Sequence, residues 1–186
     1  MTVVGLLTPG VMVPLADATP VQLLSGRNLS VPLPAGGDGD SVAPVISPDG
    51  RYVVFSSEAN DLVPGGNSRF VLNVFLRDRT ANTTVLISAN TNGTGGNDDS
   101  ILGQVSANGR YVVFQSDASD LVPGDTNGVT DIFLRDTYTG ITRLISVAAD
   151  GGFANGASTD PVMTPDGTSV AFISAASNLV AGDTDG

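Results

Sequence analysis

The 186-residue sequence contains no cysteine, no histidine and no lysine, and each absence excludes a class of chemistry. Without cysteine and histidine the chain can form neither disulfides nor thiolate or imidazole metal sites, and it cannot build a histidine-based catalytic triad. A serine nucleophile would lack its activating base, because neither histidine nor lysine is present. No spacing singles out a pair of carboxylates for glycoside hydrolysis. We therefore expect a non-catalytic chain.

Glutamate is also scarce, since Glu58 is the only one among 19 acidic residues, and all 8 basic residues are arginines. Glu and Lys are common on exposed helix faces, whereas the 23 glycines, 11 prolines and many aspartates suit turns and loops. The composition therefore predicts an all-β protein. No apolar run reaches the roughly 18 residues that a membrane-spanning helix needs, so we expect no membrane insertion.

The net charge is -11, and the arginines do not cluster in any part of the sequence. Nucleic acids and anionic membranes require a basic surface, so neither is an expected partner. Cations are the charged partners that this balance favours. The alternative is that the acidic loops serve only solubility.

The N-terminal segment resembles a secretory signal in part. Residues 2–18 are apolar and end in the small-x-small sequence Ala16-Asp17-Ala18, but the first basic residue is Arg27 and Pro9 interrupts the apolar run. A signal peptide would carry positive charge before its apolar region. The alternative is a leading linker followed by an edge strand.

A repeat of about 58 residues dominates the rest of the sequence. Residues 47–65 read SPDGRYVVFSSEANDLVPG and residues 106–124 read SANGRYVVFQSDASDLVPG, identical at 14 of 19 positions, and residues 164–182 carry a third copy, TPDGTSVAFISAASNLVAG. The downstream segments NVFLRD and DIFLRD, and VLIS and RLIS, repeat at the same spacing. A fixed period of this length indicates repeated supersecondary units.

Each unit divides into four short strands separated by turn signals. The first precedes the Pro-Asp-Gly turn or its equivalent, the second is the RYVVF segment, the third is VFLRD or IFLRD and the fourth contains VLIS or RLIS. Glycine in the first turn is expected to take a positive φ. The same conformation is expected of Asn82 and Gly140, which align with each other in the turn between the third and fourth strands. Four strands per unit is the number in a β-propeller blade.

The SPDGRYVVF pattern resembles the Pro-Asp-Gly type of WD40-like repeat found in TolB-like β-propellers, over roughly residues 41–186. This resemblance implies propeller blades at 41–99 and 100–157, a truncated blade at 158–186 and an N-terminal tail with a partial blade at 1–40. It implies a periplasmic or extracellular bacterial binding scaffold whose partner is a protein or a glycan. The partner surface would draw on the long segments 58–73 and 117–131, because propeller loops carry binding sites.

The length of the repeat also bears on the whole protein. The smallest propellers have about four blades, which at this repeat length exceeds 186 residues, so we expect an incomplete propeller whose remaining blades belong to the same full-length protein. Assembly with other copies and an open β-stack are the alternatives. Two alternative functions are the propeller of a larger hydrolase or peptidase, and a structural cell-surface array with Ca²⁺-binding loops.

The best candidate for a site is the segment 124–131, which reads GDTNGVTD. Side-chain oxygens of Asp125, Asn127 and Asp131, with the carbonyl of Val129, match four positions of a Ca²⁺ loop, in which alternate residues turn inward around a glycine bend. The first position falls on Pro123, which has no side-chain oxygen. The alternative is an ordinary polar turn. No cofactor other than Ca²⁺ is expected.

The Arg-Asp pairs at the end of the third strands, Arg77-Asp78 and Arg135-Asp136, have no nucleophile or acid-base partner at a meaningful spacing. They are interpreted as strand-end ion pairs or as aspartates that cap the following turn.

Overall fold

The computed structural model describes residues 37–64 and 70–183, and in this part of the chain every regular element is a β-strand. There are ten strands, joined by turns and loops. Their bounds are β1 Ser41–Ile46, β2 Tyr52–Ser57, β3 Asn73–Asp78, β4 Thr83–Leu86, β5 Ser100–Val105, β6 Tyr111–Ser116, β7 Asp131–Asp136, β8 Ile141–Leu144, β9 Ser158–Met163 and β10 Val170–Ser174. The described residues include no helix capable of crossing a bilayer.

The strands form three antiparallel sheets, one for each copy of the repeat. The first and second sheets have four strands each, in the orders β1-β2-β3-β4 and β5-β6-β7-β8, and the third consists of β9 and β10. The registers are equivalent: Phe55 lies opposite Phe75 in the first sheet and Phe114 opposite Phe133 in the second. The predicted fold class, all-β with four-stranded antiparallel blades, is confirmed.

The turn chemistry predicted from the sequence is also present. Gly50, Gly109 and Gly167, which close the turn between the first two strands of each sheet, have φ values of 73, 72 and 74°. Asn82 and Gly140, in the last hairpin of the first and second sheets, have φ values of 57 and 68°. Left-handed backbone of this kind favours glycine and tolerates asparagine.

Successive sheets pack face to face, and the largest apolar cluster lies between the first and the second. Val54, Val74, Leu76 and Ile87 of the first sheet contact Val105, Val112, Phe114 and Phe133 of the second. Strand β9 then packs against the opposite face of the second sheet. The second strands β2 and β6 are therefore buried for most of their length, as their consecutive apolar residues predict.

A tyrosine beneath a glycine turn recurs where sheets meet. A Cβ atom added to Gly109 would lie 2.4 Å from the ring of Tyr52 in the preceding sheet, and one added to Gly167 would lie 2.7 Å from the ring of Tyr111. The first and the second sheet thus each contribute a tyrosine to the sheet that follows. Only glycine allows the turn to approach the ring this closely.

The first strand of each sheet contains a β-bulge that the sequence did not predict. The register shifts in β1, β5 and β9, and the residue with positive φ is Ala43, Leu102 or Asp160. Pro44, Gly103 and Pro161 follow these residues directly. Non-glycine residues take this conformation only where the surrounding structure holds it. Because the bulge occurs at the same place in all three sheets, it is a structural feature of the repeat.

Two ends of the stacked sheets can be distinguished. The loop end carries residues 58–64, 70–72 and 117–130 between second and third strands, together with the connections 89–99 and 147–157 between sheets. The turn end carries the short turns, including 47–51, 79–82, 106–110 and 137–140. The predicted signal-like segment and the predicted partial blade near the N-terminus lie outside the described residues.

Candidate functional site

The long segments at the loop end are fixed at their bases by reciprocal hydrogen bonds. In the second sheet the Asn97 amide donates to Asp120 Oδ1 at 2.9 Å and the Ser119 amide donates to Asn97 Oδ1 at 2.9 Å. The same pair of bonds joins residues 38, 60 and 61 in the first sheet, and residues 155, 177 and 178 in the third. We call this arrangement the clasp. Because it ties each segment to the connection that enters its sheet, the clasp gives the loops a rigid base.

The loop of the first sheet presents an exposed aromatic side chain beyond its clasp. Phe70 is 89% exposed, more than any other large apolar side chain among the described residues. It lies three residues before β3, within the predicted partner segment 58–73. Sequence reasoning selected the segment but not this side chain, since nothing in the sequence indicates that Phe70 points outward while Phe75 is buried.

The structure brings together three of the four residues of the candidate Ca²⁺ loop. Asp131 is fully buried, accepting hydrogen bonds from Ser146 Oγ at 2.5 Å and from Asn127 Nδ2 at 2.6 Å. Asn127 Nδ2 also donates to the carbonyl of Ala154, at 3.1 Å. Val129 is held in the loop through its amide, which donates to Asn127 Oδ1 at 3.3 Å. The loop is therefore closed by hydrogen bonds from uncharged donors to a buried carboxylate.

Asp125 adds a second carboxylate to this loop. It is 7% exposed, and burial raises its pKa, with the charge of Asp131 contributing in the same direction and a hydrogen bond from the Asn127 amide opposing both. Two buried carboxylates close enough to repel each other stabilise a cation or a proton between them. Among residues 37–64 and 70–183 there is no group of three or more acidic side chains arranged around one point.

The equivalent position in the first sheet is uncharged. Asn73 takes the place of Asp131 and accepts a hydrogen bond from Ser88 Oγ at 2.8 Å, as Asp131 does from Ser146. The serine hydroxyls also accept from the Val74 and Ile132 amides. The buried polar pair thus occurs in both four-stranded sheets, and it carries a charge only in the second.

At the turn end the aspartates of the Arg-Asp pairs form ion pairs with arginines of another strand. Asp78 pairs with Arg51 at 2.7 Å and Asp136 with Arg110 at 2.9 Å, whereas the adjacent Arg77 and Arg135 bond threonines. The hydrogen bond from the arginine, reinforced by amides of the next turn, lowers the pKa of Asp78 and of Asp136 to about 2. Both predicted roles, ion pairing and turn capping, are present, but the arginine is not the sequence neighbour.

The tyrosines of the chain gather at this turn end. The Arg110 guanidinium lies 4.9 Å from the Tyr111 ring centre and 5.4 Å from that of Tyr138, which is 74% exposed. Arg51 lies over Tyr52 in the same way, at 4.8 Å. Stacking on tyrosine and bonding to aspartate hold each guanidinium in place. The exposed ring of Tyr138 at this end provides a comparison for Phe70 at the loop end.

Comparisons with known proteins find similarity only among solved structures. No family model and no curated protein matches the sequence. A structure of the tricorn protease is 15% identical, with a TM-score of 0.46 over 73% of this chain and 11% of that one. A structure of Kuenenia stuttgartiensis hydrazine synthase is 15% identical, with a TM-score of 0.39 over 68% of this chain and 35% of that one. The chain spans about a tenth and a third of their respective lengths.

Proposed function

We propose that this chain is a non-catalytic binding scaffold whose loop end recognises a protein partner. The observation that carries the proposal is Phe70, 89% exposed on a loop with a clasped base. Aromatic side chains, phenylalanine among them, are enriched in protein interfaces, and a few buried anchors carry most of the binding energy there. A fixed base also reduces the entropy lost when the loop is immobilised.

The resemblance to TolB-like repeats supports a periplasmic or extracellular location and the same non-catalytic role, and we include both in the proposal. A glycan is the alternative partner. It would use the stacking face of an aromatic ring together with polar groups around it, which is the chemistry of Tyr138 at the turn end rather than of Phe70.

We expect Phe70→Ser to abolish partner capture, because serine removes the apolar anchor without changing the clasp. The matched control is Tyr138→Ser, which removes a comparably exposed aromatic side chain from the opposite end. The measurement is quantitative pull-down with immobilised wild type and both variants. A partner retained by wild type and by Tyr138→Ser, but reduced at least tenfold on Phe70→Ser, supports the proposal. Equal capture by all three proteins contradicts it, and loss only on Tyr138→Ser favours the turn end.

We also propose that the loop of the second sheet binds Ca²⁺. The residues that would hold the ion are Asp125, Asn127 and Asp131, with the Val129 carbonyl. Carboxylate, amide and carbonyl oxygens are the ligands that Ca²⁺ takes in proteins. The supporting observation is the pair of buried carboxylates, whose donors are a hydroxyl and amides rather than an arginine. Bound calcium would order this part of the loop end beside the partner surface.

The expected result is saturable Ca²⁺ heat in titration calorimetry of wild type and its loss in Asp125→Ala. Removing a carboxylate whose burial is unfavourable should leave the fold intact. Asp166→Ala is the control, because Asp166 lies in a turn at the other end and its pKa is lowered by hydrogen bonds from Thr164 and Thr168. Identical heats for wild type and Asp125→Ala would show that the loop is only a polar turn.

A further inference from the structure

The two ends of the stacked sheets differ in the sign of their charge. With residues 65–69 included, the loop-end segments contain eight acidic residues and one basic residue, Arg69. The acidic residues are Glu58, Asp61, Asp98, Asp99, Asp117, Asp120, Asp125 and Asp150. The short turns of the turn end, with the equivalent turn 164–168 of the third sheet, contain three arginines and two aspartates. The loop end therefore has a net charge of -7 and the turn end one of +1.

Uncharged groups hold the loop-end carboxylates of the second sheet. Asp120 of the clasp accepts hydrogen bonds from the Asn97 amide and from Asn90 Nδ2, both at 2.9 Å. Asp117 accepts one from a threonine hydroxyl. The arginine-aspartate ion pairs described above, by contrast, lie at the turn end. Amides and hydroxyls that donate to a carboxylate favour its ionised form and leave its charge in place, so the loop end presents a negative potential to a partner.

Carboxylates also flank the chain beside Phe70 on two sides. The Leu72 amide donates to Asp99 Oδ1 at 2.8 Å, so the connection that carries Asp98 and Asp99 lies directly against this segment. On the other side, β2 pairs with β3 up to its last residue, and Glu58 follows β2 at the edge of the same segment. Both Glu58 and Asp98 are exposed. The surface around the aromatic ring is therefore acidic.

We propose that the partner of the loop end is a basic polypeptide in which arginine or lysine side chains flank an apolar residue. The inference rests on the partner surface proposed above and names the chemistry of its occupant. The apolar residue packs on Phe70, and the basic side chains lie over Glu58, Asp98 and Asp99. Complementary charges around an apolar anchor speed the encounter and reject partners of like charge.

The probe is a fluorescently labelled dodecapeptide of repeated Arg-Leu-Gly, added to the unlabelled full chain in calcium-free buffer. We expect saturable binding by fluorescence anisotropy. The affinity should fall at least tenfold as the ionic strength rises from about 0.05 M to about 0.5 M, because exposed charges are then screened. A peptide of repeated Ser-Leu-Gly should not bind. Equal binding of the two peptides overturns the proposal, and so does an affinity that salt leaves unchanged.

A matched pair of double variants separates the loop end from the net charge of the chain. Glu58→Gln with Asp98→Asn removes two exposed carboxylates from the loop end, and Asp49→Asn with Asp166→Asn removes two from the turn end. The turn-end control keeps its turns, since Asn108 makes the same hydrogen bonds at the equivalent position of the second sheet. We expect about fivefold weaker peptide binding by the loop-end variant and nearly unchanged binding by the control. Equal weakening of both would mean attraction to net charge alone and would overturn the proposal.

Phe70→Ser distinguishes this inference from the function on which it rests. Weaker peptide binding by Phe70→Ser, with unchanged binding by the loop-end double variant, would support the partner surface and overturn its basic occupant. Weaker binding by the double variant with unchanged binding by Phe70→Ser would support the basic occupant and contradict the role of Phe70 as the anchor. Weaker binding by both supports the two proposals together.

Discussion

Replacing Phe114 by alanine is expected to lower the free energy of unfolding by about 3–5 kcal/mol, the usual cost of deleting a buried phenylalanine. Phe114 is fully buried, stacks on Phe133 at a centroid distance of 5.9 Å and belongs to the apolar cluster between the first and second sheets. The cavity would therefore weaken both the second sheet and its contact with the first. Chemical denaturation followed by circular dichroism measures the loss.

The repeat provides the matched control. Phe172 is the same residue at the equivalent position of the third sheet, but it is only half-buried. Its replacement by alanine removes less buried area, so we expect a loss of about 1–2 kcal/mol. Equal losses of unfolding free energy for the two variants would contradict this expectation. They would mean that the fully buried Phe114 stabilises the protein no more than the half-buried Phe172 does.

Replacing Gly103 by alanine is expected to destabilise the protein by about 2–3 kcal/mol, although it adds a single methyl group. A Cβ at this position would lie 2.2 Å from Val54 Cγ1 and 3.0 Å from Val74 Cγ1. Both valines are fully buried and β-branched, so neither can rotate away without new strain. The first and second sheets would have to separate. Thermal and chemical denaturation should both show the loss.

Gly93→Asn serves as the control for this substitution. Gly93 has a φ of 82°, which asparagine tolerates, and nothing lies within 4 Å of a Cβ added there. We expect a loss of about 1 kcal/mol or less, which comes from the left-handed backbone alone. A Gly103→Ala protein as stable as Gly93→Asn would show that the two sheets are not in contact at this position.

The strands and turns could be predicted because their signals are local. Glycine or asparagine at a tight turn, and a run such as YVVF, carry the same meaning wherever they occur, and the threefold repeat made each signal visible more than once. The Ca²⁺ loop was selected in the same way. Its residues do come together, although only two of them are carboxylates and hydrogen bonds from within the protein already satisfy Asp131.

Contacts that join distant residues left no comparable signal. The bulges fall on Ala43, Leu102 and Asp160, which share no chemical property, so their positive φ results from tertiary packing rather than from residue type. The ion pairs likewise depend on contacts between strands rather than on adjacency in the sequence. Arg77 is adjacent to Asp78 in sequence, but successive residues of a strand point to opposite faces, and Arg51 across the sheet reaches the carboxylate instead.

The tyrosine-under-glycine contact also has a direction, and this makes the second repeat a transferable module. Residues 100–157 carry Gly109, which rests on a tyrosine of the preceding sheet, and Tyr111, which receives the glycine of the following one. A duplicate of these residues inserted after position 157 would therefore find a matching neighbour on each side. Gene duplication could lengthen the protein one sheet at a time without designing a new interface.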